Sequence, residues 1–196
     1  GETARGAIDL RLSPSENLRR ISEATGIDLE NLTVVILDRD RHADLIAEVR
    51  KAGCRIQLIP DGDVSAAIAT ALPNTGVDVL MGSGGAPEGV LAAAALRCVG
   101  GAMQAQLRPR NQTEIDRARA MGVTDIKRIY TEEDLAQGDN IMFAATGVTS
   151  GDMLRGVQFT ATGAVTHSIV MRSKTHTTRF IETHHAFAHE PVYAEA

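Results

Sequence analysis

Three stretches with the same order of features determine what this chain can fold into. Apolar runs rich in valine, isoleucine and leucine begin at Thr33, Arg55 and Val77, at equal intervals, and each is followed by a polar loop and a helix-period stretch. Near-continuous apolar strands that alternate with helices indicate βα units on a parallel sheet covered on both faces. A leucine-rich repeat has a similar period, but its LxxLxL frame is absent. We therefore predict an α/β fold with three βα units on a largely parallel sheet.

The loops that follow the three strands are predicted to lie close together. Right-handed crossovers place every strand-to-helix loop on the same edge of a parallel sheet. The three loops read RDRH, DGD and GSGGAPEG. Their shared edge is therefore the candidate functional site.

Further elements are predicted on either side of this core. SPSENLRRISEATG is typical of a capped amphipathic helix, with Pro14 near its first turn and Gly26 at its end. Downstream, NQTEIDRARAMG predicts a helix, IKRIY and IMFAATGVT predict strands, and Thr131 with Asp134 predicts a capping box. GVQFTATG, AVTHSIVMRS and TTRFIET predict antiparallel strands at one edge. Since no linker-like segment divides residues 1–196, we expect a single α/β unit.

Composition and charge limit the classes of function. Hydrophobic residues make up 43% and charged residues 23% of the chain, an ordinary balance for a globular domain. The net charge of -5 disfavours general nucleic-acid binding, because there is no basic excess to release counterions. No apolar run reaches membrane length, and GETARGAIDLRL lacks the apolar core of a signal peptide. Cys54 and Cys98 lack metal-ligand spacing, so we expect reduced core thiols in a cytoplasmic protein.

The loop RDRH has two interpretations. Arg39 and Arg41 fall at a strand end and in the first turn of the next helix, where each cation opposes the helix macrodipole by about 0.3–1 kcal/mol. Asp38, Asp40 and Asp44 neutralise them, which is typical of a solvated charged turn. Alternatively, one or both arginines hold a phosphate, which suits the planar guanidinium fork.

The loop DGD is also ambiguous. Asp63 is predicted to cap the following helix, which is a purely structural role. Asp61 precedes Gly62 at a strand end and has no such role. Two carboxylates around a glycine could instead hold sugar hydroxyls or a divalent cation.

The loop GSGGAPEG differs from known phosphate-binding loops. Gly82 and Gly84 fit a dinucleotide fingerprint, but Pro87 occupies the third glycine position and no Walker lysine is present. Pro87 and Glu88 suit the first turn of a helix. Glu88 would repel a bare phosphate unless a metal ion lay between them, so glycines with a carboxylate indicate metal-assisted phosphate chemistry. The six histidines are not predicted to bind a metal.

Six segments in order resemble a known family. ILDRDRH, IPDGDV, GSGGAPEGV, RAMG, GDNIMFAATGVTSGDML and HSIVMRS together resemble the C-terminal part of class II fructose-1,6-bisphosphatases, which in cyanobacteria include sedoheptulose-1,7-bisphosphatases. The resemblance extends from about Gly6 to Phe187, and its specificity lies in the combination rather than in any one segment. It implies the lithium-sensitive sugar-phosphatase fold, a layered α-β-α-β-α sandwich of which this chain would form the C-terminal half.

The resemblance also implies an activity and a site. The family hydrolyses the 1-phosphate of fructose 1,6-bisphosphate, and in some members acts on sedoheptulose 1,7-bisphosphate, with Mg²⁺ or Mn²⁺ in gluconeogenesis or the Calvin cycle. It implies a homo-oligomer, dimer or tetramer, that binds a bisphosphorylated sugar and neither nucleic acid nor membrane. No catalytic residue is assigned within this chain. The implied site consists of Glu88 as a metal ligand, Asp61, Gly62, Asp63 and Gly85 along the sugar, and Arg39, Asp40 and Arg41 in the substrate-binding segment, with the arginines gripping the phosphate remote from the metals.

Two departures from the family pattern shape these expectations. The family's D-P-[ILM]-[DE]-G-T segment, which carries metal carboxylates, is not found here, so we expect this chain to be inactive alone and part of a longer enzyme. The region before RAMG is about ten residues shorter than in the family, and we expect omitted loop residues near 108–113. Two other interpretations stay open: a stand-alone module that binds sugar phosphates or nucleotides, and an inactive structural fragment.

Overall fold

The computed structural model describes residues 2–151 and 153–187. Short 3₁₀ turns cover Glu2–Ala4, Leu29–Asn31 and Asp40–His42. The helices are α1 (Pro14–Thr25), α2 (Ala43–Ala52), α3 (Asp63–Ala69), α4 (Ala86–Val99), α5 (Gln112–Ala120) and α6 (Glu132–Leu135). The strands are β1 (Thr33–Leu37), β2 (Arg55–Ile59), β3 (Val79–Leu80), β4 (Gln104–Gln106), β5 (Ile129–Thr131), β6 (Met142–Thr146), β7 (Gln158–Thr160), β8 (Gly163–Arg172) and β9 (Thr177–Ala186).

The predicted parallel sheet is confirmed. It contains β1, β2 and β3 in the order β2-β1-β3, and β1 pairs with both neighbours in parallel. Val34, Val35 and Ile36 of β1 are at most 1% exposed, as expected for a strand covered on both faces. Leu58 of the edge strand β2 is 42% exposed, so the predicted cover on both faces does not extend across the whole sheet.

The strand order makes β1 a topological switch point. The chain passes from β1 through α2 to β2 on one side, and then through α3 to β3 on the other side of β1. Right-handed crossovers in opposite directions place their helices on opposite faces of a sheet. Ligands of open α/β sheets bind in the crevice where the winding reverses, outside the carboxyl ends of the strands. In this chain that crevice lies between the loops that follow β1 and β3.

Two hydrophobic clusters occupy different layers. One contains Leu18 and Ile21 of α1, Val49 of α2 and Val34 and Ile36 of β1. The other contains Ile68 of α3, Ala95 and Cys98 of α4, and Phe143, Ile169 and Met171 of the antiparallel strands. Because α3 contacts β3 and α4 contacts β6 and β8, these two helices separate a parallel from an antiparallel sheet. The layers are therefore helical, parallel, helical and antiparallel, and the complete five-layer sandwich stays a prediction.

The antiparallel strands β7, β8 and β9 were expected at one edge of the parallel sheet. Instead they form a separate sheet together with β6. β6 and β7 pair with successive parts of one edge of β8, and β9 pairs with the other edge along its whole length. The helices α3 and α4 lie between the two sheets because their small and apolar side chains bury Ile169 and Met171 of β8. A further pair, β4 and β5, is a separate two-stranded antiparallel sheet.

The predicted capping residues lie at the ends of helices α1 and α6. The side chain of Ser13 caps α1 with Pro14 in the first turn, and Gly26 ends the helix in the left-handed conformation. The capping box of Thr131 and Asp134 is confirmed at α6. The expectations of a single unit over residues 1–196 and of omitted residues near 108–113 stay predictions.

Cys54 and Cys98 are buried and free, and burial raises the pKa of both thiols. None of the helices in residues 2–151 and 153–187 has the length and apolar character of a membrane span.

A buried carboxylate links the beginning of the chain to α6. Glu132 is 1% exposed and accepts hydrogen bonds from the guanidinium of Arg5 and from the backbone N–H of Met103 (2.9 Å). Arg5 also donates to the carbonyl of Gly101 (3.0 Å). The side chain of Arg5 remains 44% exposed, so only the carboxylate of this ion pair is fully removed from water.

Candidate functional site

The loop after β1 contacts both neighbouring loops. Arg39 donates hydrogen bonds to the carbonyls of Asp38 (2.8 Å) and Pro60 (2.6 Å), and Pro60 begins the loop after β2. Arg41 donates to the carbonyl of Ser83 (2.7 Å) in the loop after β3. Asp40 lies exposed between the two arginines, in a 3₁₀ turn. The two guanidinium groups therefore extend toward opposite sides of β1, one over each neighbouring strand end.

The loop after β2 brings a carboxylate to the glycine loop. Gly62 has a φ of 85°, which favours glycine, and its carbonyl accepts the hydrogen bond of Ala66 (3.0 Å). Gly62 is therefore the N-cap, and the prediction that Asp63 caps α3 is wrong; the carboxylate of Asp63 instead accepts from the N–H of Val64 (3.0 Å). A Cβ on Gly84 would lie 2.7 Å from Oδ2 of Asp63, so that carboxylate lies against the loop after β3. Asp61 is exposed beside them.

The loop after β3 depends on glycine for close contact with carboxylates. Glu88 lies in the first turn of α4, and its side chain folds back over the N-cap Gly85. A Cβ on Gly85 would lie 2.1 Å from Oε2 of Glu88. Gly84 and Gly85 thus leave room for the carboxylates of Asp63 and Glu88 to lie against the loop backbone.

Ser83 joins the first and third loops. Its carbonyl accepts from Arg41, and its N–H donates to Nε2 of His42 at 2.9 Å. His42 is 3% exposed, and the sequence interpretation gave it no role. Only the placement of β3 beside β1 brings His42 and Ser83 together, so no local sequence pattern signals this contact.

The sheet edge thus combines cations and carboxylates. Arg39 and Arg41 could hold an anion through charge-assisted hydrogen bonds. Asp61, Asp63 and Glu88 could accept hydrogen bonds from hydroxyls or contribute ligands to a divalent cation. Among residues 2–151 and 153–187, however, no group of three or more histidine, cysteine, aspartate or glutamate side chains could hold a metal ion. These residues do not fit a complete metal site, and Glu88 could supply only part of one.

The comparison with known proteins agrees with the resemblance of the sequence segments. The sequence model of the family described as "Bacterial fructose-1,6-bisphosphatase, glpX-encoded" matches residues 1–185, a range that includes all three loops. The chain belongs to this family. Its family resemblance, expected from the six segments, is confirmed.

Curated members of the family are similar over nearly the whole chain. Proteins named "D-fructose 1,6-bisphosphatase class 2/sedoheptulose 1,7-bisphosphatase" are each 43% identical to it in Crocosphaera subtropica, Nostoc sp. and Synechococcus elongatus. The matches cover 98%, 93% and 94% of this chain. They cover 59%, 56% and 57% of the relatives, so the chain spans a little over half the length of these family members.

Proposed function

We propose that this chain is part of a longer cytoplasmic enzyme that removes the 1-phosphate of fructose 1,6-bisphosphate and acts also on sedoheptulose 1,7-bisphosphate. The observation that carries the proposal is the convergence of three loops at the switch point of the sheet, in a chain that belongs to a bisphosphatase family. The proposed enzyme is a homo-oligomer of gluconeogenesis or the Calvin cycle. It uses Mg²⁺ or Mn²⁺.

The arginines are proposed to bind the phosphate that is not removed. Arg39 and Arg41 now donate hydrogen bonds mainly to neutral backbone carbonyls. Each guanidinium has five N–H donors, so a phosphate can be bound through the remaining N–H groups in charge-assisted hydrogen bonds while the contacts to these carbonyls are kept. Asp40 lies in the same turn and is proposed as part of this substrate-binding segment. The position of both arginines in the loop after β1, at the switch point of the sheet, supports this role.

The sugar is proposed to bind along the second and third loops. Asp61 and Asp63 present carboxylate oxygens that can accept hydrogen bonds from sugar hydroxyls. Gly62 and Gly85 have no side chain that would keep a sugar away from the backbone. The contact between Asp63 and the loop at Gly84 supports one continuous binding surface.

Glu88 is proposed as the contribution of this chain to the metal site. Its carboxylate is exposed at the sheet edge and folded toward Gly85, on the proposed sugar surface. The described residues hold no complete set of ligands, so the other ligands are proposed to come from the rest of the enzyme. A divalent cation bound there would polarise the phosphate that is removed.

The activity can be tested with the longer protein and with this 196-residue chain in parallel. We expect the longer protein to release phosphate from fructose 1,6-bisphosphate in the presence of Mg²⁺ or Mn²⁺, and the chain alone to show no turnover. Calorimetry of the chain with the same sugar and no metal would then show little binding. Tight metal-free binding would favour a stand-alone binding module, and turnover by the isolated chain would contradict the assignment of metal ligands outside it.

A methyl group on Gly85 is expected to displace Glu88 without unfolding the protein. The φ of Gly85 is -71°, which alanine adopts freely, but the new Cβ would clash with the glutamate carboxylate. We expect Gly85→Ala to lower the activity of the longer protein roughly 10-fold, comparable to the loss of a group that orients a metal ligand. The midpoint of thermal unfolding should stay nearly constant.

Gly89→Ala is the matched control for this substitution. A Cβ there meets nothing within 4 Å, and alanine in place of glycine in a helix stabilises by about 0.5–1 kcal/mol. Equal activity of the two alanine variants would contradict the proposed placement of Glu88.

A further inference from the structure

We propose that His42 is a positioning residue, which holds the Ser83–Gly85 segment against β1 as the tautomer with hydrogen on Nδ1. Through Ser83 it fixes the orientation of Arg41 and the start of α4, where Glu88 lies. This inference rests on the proposed function for its effect on catalysis, but its structural part can be tested independently.

The ring of His42 is buried between two segments of backbone. It is 3% exposed and lies between the end of β1 and the loop after β3. Nδ1 lies 2.8 Å from the carbonyl oxygen of Leu37, and Nε2 lies 2.9 Å from the backbone nitrogen of Ser83. Both ring nitrogens are thus used, one on each side.

The two contacts assign the same tautomer. A backbone N–H only donates, so Nε2 must accept from Ser83 and carries no hydrogen. A carbonyl only accepts, so Nδ1 must donate to Leu37 and carries the hydrogen. The opposite tautomer would place N–H against N–H and leave the carbonyl of Leu37 without this partner.

The loop after β3 packs closely against the ring of His42 at Gly82. Gly82 has a φ of 151°, and a Cβ at this position would lie 3.2 Å from both Cε1 and Nε2 of His42. This distance is shorter than ordinary van der Waals contact. The ring therefore lies directly against the loop backbone, and a side chain at residue 82 would push it away.

Ser83 transmits the position of the ring to the proposed binding groups. Its carbonyl accepts hydrogen bonds from Nη2 (2.7 Å) and Nε (3.2 Å) of Arg41, and its hydroxyl lies 3.2 Å from Nε of Arg41 and from Nε2 of His42. Gly84 and Gly85 follow directly and lead into α4. A shift of Ser83 would therefore move both the phosphate-binding arginine and the helix that carries Glu88.

Two substitutions separate the two hydrogen bonds. In His42→Gln the amide oxygen can take the place of Nε2 and accept from Ser83, whereas in His42→Asn the amide nitrogen can take the place of Nδ1 and donate to Leu37. In the longer protein we expect His42→Asn to raise KM for fructose 1,6-bisphosphate roughly 10-fold, the effect of one lost hydrogen bond, and His42→Gln to recover most of the difference. His185→Gln, at an exposed histidine of β9, is the control.

Nuclear magnetic resonance of the 196-residue chain tests the structural part without any activity. We expect the ring nitrogens of His42 to show hydrogen on Nδ1 only, and the amide of Ser83 to exchange slowly in the unsubstituted chain and in His42→Gln but fast in His42→Asn. Hydrogen on Nε2, or equal exchange in the two variants, would overturn the inference. If the longer protein released no phosphate, the proposed function would fail while the tautomer and exchange would still decide the role of His42.

Discussion

Glu88→Gln is expected to reduce phosphate release by the longer protein more than 100-fold at limiting Mg²⁺ or Mn²⁺. The loss should exceed the roughly 10–100-fold cost of removing a group that only orients a ligand, because glutamine keeps the shape of the side chain but removes the charge that attracts the cation. Raising the metal concentration should recover part of the activity. The measurement is the initial rate of phosphate release as a function of metal concentration.

Glu16→Gln provides a matched control for this effect. Glu16 occupies the first turn of α1 as Glu88 does that of α4, so both substitutions remove a similar favourable interaction with a helix dipole. Glu16 pairs with Arg19 at the surface, away from the three loops. A metal dependence of Glu88→Gln indistinguishable from that of Glu16→Gln would contradict the assignment of Glu88 as a metal ligand.

Arg5→Ala is expected to destabilise the chain by about 2–3 kcal/mol, because it leaves the buried carboxylate of Glu132 without its cation. The value lies below that for a fully buried pair, since the side chain of Arg5 is 44% exposed. For a chain of this size the change corresponds to a decrease of about 4–12 °C in the midpoint of thermal unfolding.

Glu132→Gln is expected to cost less, about 1 kcal/mol. The amide oxygen can still accept from the N–H of Met103, and the half-exposed Arg5 can be hydrated. Arg19→Ala removes a surface ion pair and should hardly change the midpoint. If Glu132→Gln lowered the free energy of unfolding more than Arg5→Ala, an unpaired charge on Glu132 would not be the cause of the destabilisation.

Local patterns were sufficient to predict the elements around the site. The apolar runs at Thr33, Arg55 and Val77 predicted three parallel strands, and polar loops after them predicted a common edge. Capping residues predicted the ends of α1 and the capping box of α6. These features depend on neighbouring residues, for which propensity and hydrogen-bonding rules are strong.

Local patterns were not sufficient where distant segments meet. Asp63 was expected to cap α3, but the left-handed Gly62 begins the helix one residue earlier and directs the carboxylate toward Gly84. The strands β7 to β9 were expected at an edge of the parallel sheet, yet α4 packs against the apolar face of β8 and they form a second sheet together with β6. In both cases the final arrangement includes a contact with a segment that is distant in the sequence.

The sequence by itself determined the βα units, their parallel direction, the residues at the sheet edge and the family of the chain. Only the tertiary structure decided that the strand order is β2-β1-β3, which places the loops of Arg41 and Ser83 side by side. The periodicity of a strand does not specify the strand order, because β2 and β3 are both apolar strands that can pair with either edge of β1. The role proposed for His42 depends on that order, since a buried ring can accept a hydrogen bond only from the loop that packing brings to it.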